Sequence, residues 1–341
     1  MVERIKIGIV GCGAVTEMFH LPALLAREDL QVTAVIDRNL DRAKILSQQS
    51  GAQPFSSVQD AMGSFDAAIV ALPHQLHASA CIELLEAGKH VLVEKPMALS
   101  TQECEDMNAA AARSGKTITV GQMRRFCPAV SAAKIFLENN LIGEIQRFHI
   151  QEGNVFDWPA ASDYFLKKET SGGGVLIDTG AHTFDMILWL FGEVYDLDYR
   201  DDSFGGVEAD CEVRLKMASG AEGYVELSRT RNLPTELVIE GSRGRMAVAY
   251  KPNQVTLEVD GKKIDTFTMP TRYPEGPAKS IWHLMIVHQL DHWVECLKSG
   301  SPALVNGTEG MKVVSFIERC YKERKPLVFP WVANSVSEVK P

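Results

Sequence analysis

Apolar and polar positions follow two different rhythms along this chain. Up to about residue 120, short β-branched apolar runs recur at Ile5–Val10, Val32–Ile36, Ala67–Leu72, His90–Val93 and Thr117–Val120. Runs that are apolar at nearly every position predict strands buried on both faces. Between them lie amphipathic stretches such as Ala78–Ala87, with Cys81, Leu84 and Leu85 at helical spacing ahead of Gly88, and Thr101–Arg113 ahead of Gly115. Parallel neighbours need a crossover and helices supply it. The alternation therefore predicts an α/β Rossmann-type, doubly wound parallel sheet over residues 1–122.

Beyond about residue 125 the strand-like runs follow one another directly. Ile145–Gln151, Glu208–Met217, Gly223–Ser228, Leu237–Glu240, Arg245–Tyr250, Val255–Val259 and Lys262–Phe267 are set apart by turn signals such as Ala218-Ser-Gly220, Gly241-Ser-Arg-Gly244 and Asp260-Gly261. This pattern predicts a C-terminal α+β domain over residues 123–341, with a large, mostly antiparallel open sheet. Helices near 171–191, 279–299 and 307–324 are expected on one side of it.

Composition narrows the function classes. A length of 341 residues suits two domains, and 45% hydrophobic with 23% charged residues is the balance of a soluble globular enzyme. The 35 Lys and Arg against 44 Asp and Glu give a net charge of −9, with no basic block, which argues against a nucleic-acid partner. No apolar run approaches the ~18 residues of a membrane span. Arg4 and Lys6 followed by an apolar run imitate a signal peptide, but Gly8, Gly11 and Gly13 interrupt the run. Seven scattered cysteines without a Cys-x-x-Cys pair predict reduced thiols, no metal site and a cytoplasmic protein.

Three segments carry candidate chemistry. Gly11-Cys-Gly13-Ala14-Val15-Thr16 falls where the first strand turns into the first helix. Glycine at 11 permits the tight turn, and glycine at 13 lets a pyrophosphate approach the backbone. Asp37, at the end of the second predicted strand, is placed to accept the adenosine ribose hydroxyls, favouring NAD. Arg38 beside it can stack on adenine or pair with a 2′-phosphate, which keeps NADP open. Thr16 replaces the third small residue of the fingerprint, so looser helix packing is expected there.

His90-Val-Leu-Val-Glu94-Lys95-Pro96 ends a buried strand in a charged pair, at the sheet edge where open α/β sheets bind ligands. Burial beside a nicotinamide would suit Lys95 to proton exchange, and a surface Glu–Lys pair is the alternative. Gly172-Gly-Gly-Val-Leu-Ile-Asp178 continues to His182 and Asp185, which places acid, histidine and acid on successive turns of one helix. His182 is the candidate proton acceptor, with Asp178 setting its tautomer; a core histidine capped by an acid is the alternative. Three glycines ahead of that helix suggest close backbone approach to a ligand.

Together with Leu72-Pro73-His74-Gln-Leu-His77, Gly121-Gln-Met-Arg-Arg125-Phe126 and a closing Gly300-Ser-Pro302 to Gly310 segment, these motifs occur in one order over nearly the whole chain. In this the chain resembles the glucose–fructose oxidoreductase / inositol dehydrogenase (Gfo/Idh/MocA) family. The resemblance implies NAD(H) or NADP(H) bound by the N-terminal domain, and oxidation or reduction of one secondary alcohol on a sugar, polyol or nucleotide sugar. It also implies a cis bond at Lys95–Pro96 and a catalytic trio of Lys95, Asp178 and His182. Leu72, Pro73 and His77 would lie along the cofactor, Glu94 near the nicotinamide ribose and Arg125 at the substrate end. Homodimers or homotetramers through the open face of the second sheet are further implied.

Several residues have two readings. His74 and His77 suggest a metal pair but lack further ligands, so cofactor-cleft lining is preferred. Trp158, Tyr164 and Phe165 suit stacking on a sugar ring as well as core packing. Lys167-Lys168 reads as a solvated face, and the histidines of 281–297 as helix surface or interface. The expected activity is an NAD-dependent dehydrogenase of a cyclic polyhydroxyl compound. Three alternatives remain: transient oxidation giving net hydrolysis or epimerisation, an NADPH-preferring reductase, and a non-catalytic sugar-responsive regulator.

Overall fold

A computed structural model describes residues 4–159, 162–250, 252–269 and 280–327. Among them the first sheet contains β1 (Ile5–Val10), β2 (Leu30–Ile36), β3 (Gln53–Phe55), β4 (Ala67–Val70), β5 (His90–Val93) and β6 (Ile118–Val120). All pair in parallel in the order β3-β2-β1-β4-β5-β6. The order reverses between β1 and β4, and the crevice at such a switch point is where an open α/β sheet takes its ligand.

The crossovers are α1 (Leu21–Leu25), α2 (Leu40–Ser50), α3 (Val58–Ala61), α4 (His77–Glu86) and α5 (Thr101–Ser114). α5 shows why the sequence breaks where it does. Ser100 and Glu103 cap its start reciprocally, and Gly115 at φ +67° ends it. Between β1 and α1 the chain makes a wide π turn, Thr16–His20. Thr16 is fully buried there with its hydroxyl donating to the Gly11 carbonyl at 2.7 Å. The larger third residue is thus absorbed by a hydrogen bond and a widened turn.

After α6 (Pro128–Glu138) come β7 (Ile145–Gly153), the short α7 (Lys168–Ser171), α8 (Val175–Phe191), β8 (Val194–Asp201), β9 (Asp210–Met217), β10 (Glu222–Ser228), β11 (Leu233–Gly241), β12 (Gly244–Ala249), β13 (Gln254–Val259) and β14 (Lys262–Thr268). The chain then forms α9 (Ile281–Ser299), α10 (Gly307–Lys322) and β15 (Lys325–Pro326). The second sheet runs β14-β13-β12-β11-β7-β10-β9-β8-β15 and is mostly antiparallel; β7–β10 and β8–β15 pair in parallel. α8 buries Leu176, Phe184 and Ile187 against it.

α9 does not simply cover that sheet, as its sequence position suggests. Its Ile286, Leu290, Trp293 and Val294 pack with Ile7, Ile9 and Leu24 of the first sheet's core, while Ile281, Leu284 and Met285 face the second. The ion pairs Arg27–Asp291 and Lys298–Asp29 add to this clamp. The two halves are therefore held by a shared helix, and the cleft between them has a fixed floor. Among the described residues no helix is long and apolar enough to cross a membrane.

Candidate active site

The strand ends of the first sheet and the start of α8 enclose a cleft of about 410 Å³. Gly11, Gly13, Val15, Asp37, Leu72, Pro73, Glu94, Lys95, Trp158, Tyr164, Asp178 and His182 all line it. A larger hollow of about 600 Å³ lies on the open face of the second sheet, among Arg147, Tyr224, Asp198 and their neighbours. It lacks the predicted chemistry, so the smaller cleft is the site.

At one end the residues fit a dinucleotide. Gly11 holds φ +103°, and a Cβ on it would sit 2.2 Å from the Ala71 carbonyl oxygen. A Cβ on Gly13 would meet nothing within 4 Å, so the backbone there is open to a ligand. Ala14 and Val15 are already helical and the Glu17 N–H donates to the Gly13 carbonyl at 3.0 Å, so the N–H groups open to a diphosphate are those ahead of Glu17. Asp37 is fixed by the amides of Cys12 (3.0 Å) and Asn39 (2.8 Å), with carboxylate lone pairs left for ribose hydroxyls.

At the other end Lys95 and Asp178 meet. Lys95 Nζ donates to Asp178 Oδ1 at 2.6 Å and to the Asp178 carbonyl at 3.1 Å. The Lys95–Pro96 peptide is cis. Arg229, which follows β10, donates to Asp178 Oδ2 at 2.7 Å. Burial works to raise the Asp178 pKa, but the two cations outweigh it and hold the carboxyl well below the usual range. Burial, with Lys95 and Arg124 nearby, pushes His182 well below 6.5, so the imidazole is neutral. Glu94 accepts from His20 at 2.7 Å; burial pushes its pKa up, and His20 and Lys95 more than reverse that.

Six sequence-based assignments are corrected or left outside the site. Asp178 is not hydrogen-bonded to His182: its oxygens accept from Lys95 and Arg229, and His182 Nδ1 faces Gln122 Oε1 at 3.2 Å. Arg125 is 3% exposed and spends its guanidinium on Asp185 and Glu309, away from the cleft lining. His77 is fully buried with its ring nitrogens 2.8 and 2.9 Å from the carbonyls of Pro96 and Leu72, so it joins two turns instead of lying along the cofactor. Arg38 is exposed and outside the lining, as is the half-buried Ala14; Arg42 lines the cleft. The glycines before α8 serve the protein itself: a Cβ at 173 would strike Tyr321 Oη and one at 174 the Glu208 carbonyl.

Arg229 and Phe156 escaped sequence reasoning, whereas His74, Trp158 and Phe165, weighed there, line the cleft. His74 anchors to the Ser171 carbonyl at 2.8 Å, and burial with His77 and Lys95 pushes its pKa down to about 3. Phe156 and Phe165 flank Arg229, whose guanidinium carbon lies 4.8 and 6.0 Å from their ring centroids. Trp158 stacks on Phe19 at 6.5 Å. Among the described residues no group of three or more His, Cys, Asp or Glu is arranged to hold a metal ion.

A parallel sheet with an open glycine turn, an acid at the next strand end and a Lys–Asp–His cleft define an oxidoreductase of the NAD-binding Rossmann type. Residues 5–122 match the oxidoreductase family with an NAD-binding Rossmann fold, and residues 130–247 match the GFO/IDH/MocA C-terminal domain. The chain belongs to the Gfo/Idh/MocA oxidoreductase family. It is similar to scyllo-inositol 2-dehydrogenase (NADP(+)) of Bacillus subtilis, 27% identical over 281 residues, covering 79% of this chain and 84% of the relative. D-apiose dehydrogenase of Paraburkholderia graminis is 25% identical over 335 residues, 94% of this chain and 88% of its own. The fold superposes on levoglucosan dehydrogenase in complex with NADH and levoglucosan with a TM-score of 0.84 at 21% identity, covering 94% and 97% of the two chains.

Proposed function

We propose that this chain is a dehydrogenase of a secondary alcohol on a sugar, inositol or nucleotide sugar, with NAD as its preferred coenzyme and NADP as the alternative. The observation that carries the reading is the sharing of one cleft by the open glycine turn and the Lys95, Asp178 and His182 side chains. The names of the relatives, an inositol and an apiose dehydrogenase among them, support the substrate class.

Gly11, Gly13 and Asp37 are assigned to the coenzyme's diphosphate and ribose, and Glu94 and Pro73 line the way to the reacting end. NAD, when bound, supplies the two-electron acceptor that the protein itself lacks. His182 is neutral and so can take the hydroxyl proton, and Lys95 donates a hydrogen bond to the same oxygen as charge develops on it. Asp178 holds the Lys95 ammonium on one carboxylate oxygen and the Arg229 guanidinium on the other. Trp158 and Tyr164 give the sugar ring apolar faces. Residues 1–122 are read as the coenzyme domain and 123–341 as the substrate domain. The open face of the second sheet is read as the surface for a homodimer or homotetramer.

A screen of sugars, inositols and nucleotide sugars with purified protein and NAD, read as NADH absorbance, tests the activity. Net NADH from at least one polyol class is expected. Net hydrolysis or epimerisation without NADH would favour transient oxidation, and coenzyme binding without any turnover would favour a regulator.

A further inference from the structure

Resting on the reading just given, we propose that the substrate end of the cleft is built for an acid. Arg229 takes a carboxylate carried by the sugar or polyol, so uronates, aldonates and related hydroxy acids are preferred over neutral sugars.

The charge balance at this end is uneven. Lys95 and Arg229 are two cations sharing the single carboxylate of Asp178, at 2.6 and 2.7 Å, with side chains only 15% and 10% exposed. His182 adds no charge, because its imidazole is neutral. The other acids of the cleft have partners of their own or face solvent; Glu94 is the nearest, and Lys95 is one of the charges that lower its pKa. Glu94 holds His20, Asp37 holds two backbone amides at the coenzyme end, and Asp157 is exposed. Among Lys95, Arg229 and Asp178 one positive charge is left over, and Arg229, which has no second carboxylate, is where an added anion finds a partner.

The guanidinium also has donors to spare. Nη2 is used on Asp178, Nε is enclosed without a partner, and Nη1 makes no hydrogen bond to the described residues. Phe156 lies over the guanidinium at 4.8 Å, so a ligand meets it at the Nη1 edge, where a carboxylate oxygen accepts a charge-assisted hydrogen bond. Tyr164 lines the same wall, and burial raises its pKa, so its phenol stays a donor.

The test is calorimetric titration of NAD-loaded protein with matched acid and neutral probes: D-glucuronate against D-glucose, D-galacturonate against D-galactose, D-gluconate against D-glucitol. In at least one pair the acid should bind about 10-fold tighter or better, as a charge-assisted contact implies. Arg229→Gln should remove most of that ratio, and Arg229→Lys should restore part of it. The acid's affinity should also fall with added KCl while the neutral probe's does not; that salt response decides the matter if Arg229→Gln fails to fold. No acid outbinding its neutral partner, or an undiminished ratio in folded Arg229→Gln, overturns the proposal. NADH formation from neutral sugars without acid preference sinks it and spares the dehydrogenase reading. Arg229-dependent acid binding with no NADH from any polyol sinks the dehydrogenase reading instead.

Discussion

Replacing Asp178 with Asn keeps the side-chain shape and removes the one charge that Lys95 and Arg229 share. Each of the two contacts is a charge-assisted hydrogen bond, at 2.6 and 2.7 Å. Such a bond is worth ~1.5–3 kcal/mol, so the pair has an upper bound of ~3–6 kcal/mol. The side chains retain 15%, 18% and 10% exposure, and the Asn oxygen still accepts from one cation, which lowers the expected loss. We expect Asp178→Asn to destabilise the fold by about 2–4 kcal/mol at pH 7, near the range for breaking a buried ion pair from one side. Urea unfolding followed by circular dichroism reads this as a lower midpoint.

The pH dependence separates charge from shape. The folded-state pKa of Asp178 lies below its unfolded value, so its contribution is fully present above about pH 4 and is lost as pH falls toward the folded value. The gap between wild type and Asp178→Asn should thus stay constant from pH 7 to about pH 5 and narrow on further acidification. A gap under about 0.5 kcal/mol at pH 7, or one that widens in acid, would refute the shared-carboxylate arrangement.

Three further outcomes are expected. Asp37→Ser should raise the KM for NAD by about 10-fold while leaving NADP nearly as it was, measured as initial rates with each coenzyme. Arg125→Met should lower thermal stability without raising substrate KM, because its partners Asp185 and Glu309 lie outside the cleft lining; a KM effect with unchanged stability would restore Arg125 to the substrate end. Gln122→Glu should move the acid limb of alcohol oxidation to higher pH, since a carboxylate facing His182 Nδ1 favours imidazolium and only the neutral ring accepts a proton. An unmoved pH profile would show that Gln122 does not set the ring.

What the sequence discloses here follows from what is local. The glycine turn, the acid at the end of β2, the Glu-Lys-Pro strand end and the Asp178/His182 face of α8 each depend on a few neighbouring residues. The first three converge because βαβ connections place strand ends side by side, and α8 meets them across the cleft from the second half of the chain. Arg229 follows β10 within a polar Ser-Arg-Thr-Arg stretch that reads as surface, and only the packing of α8 on β10 brings it to Asp178. The adjacent Arg124 and Arg125 are buried because Glu152 and Asp185, from β7 and α8, complete ion pairs with them. β8 was not evident because its Asp-rich run has poor strand propensity, and β3 because Pro54 sits inside three residues at the sheet edge. Why three glycines precede α8 is likewise legible only once Tyr321 and Glu208 close on them.

The most direct test of the proton-accepting role of His182 is a paired measurement on His182→Ala. NAD affinity by calorimetry is set beside NADH formation from the best substrate of the screen. NAD binding within about 3-fold of wild type together with kcat/KM reduced ~10²–10⁴-fold is the expected result. Undiminished turnover by His182→Ala would contradict it.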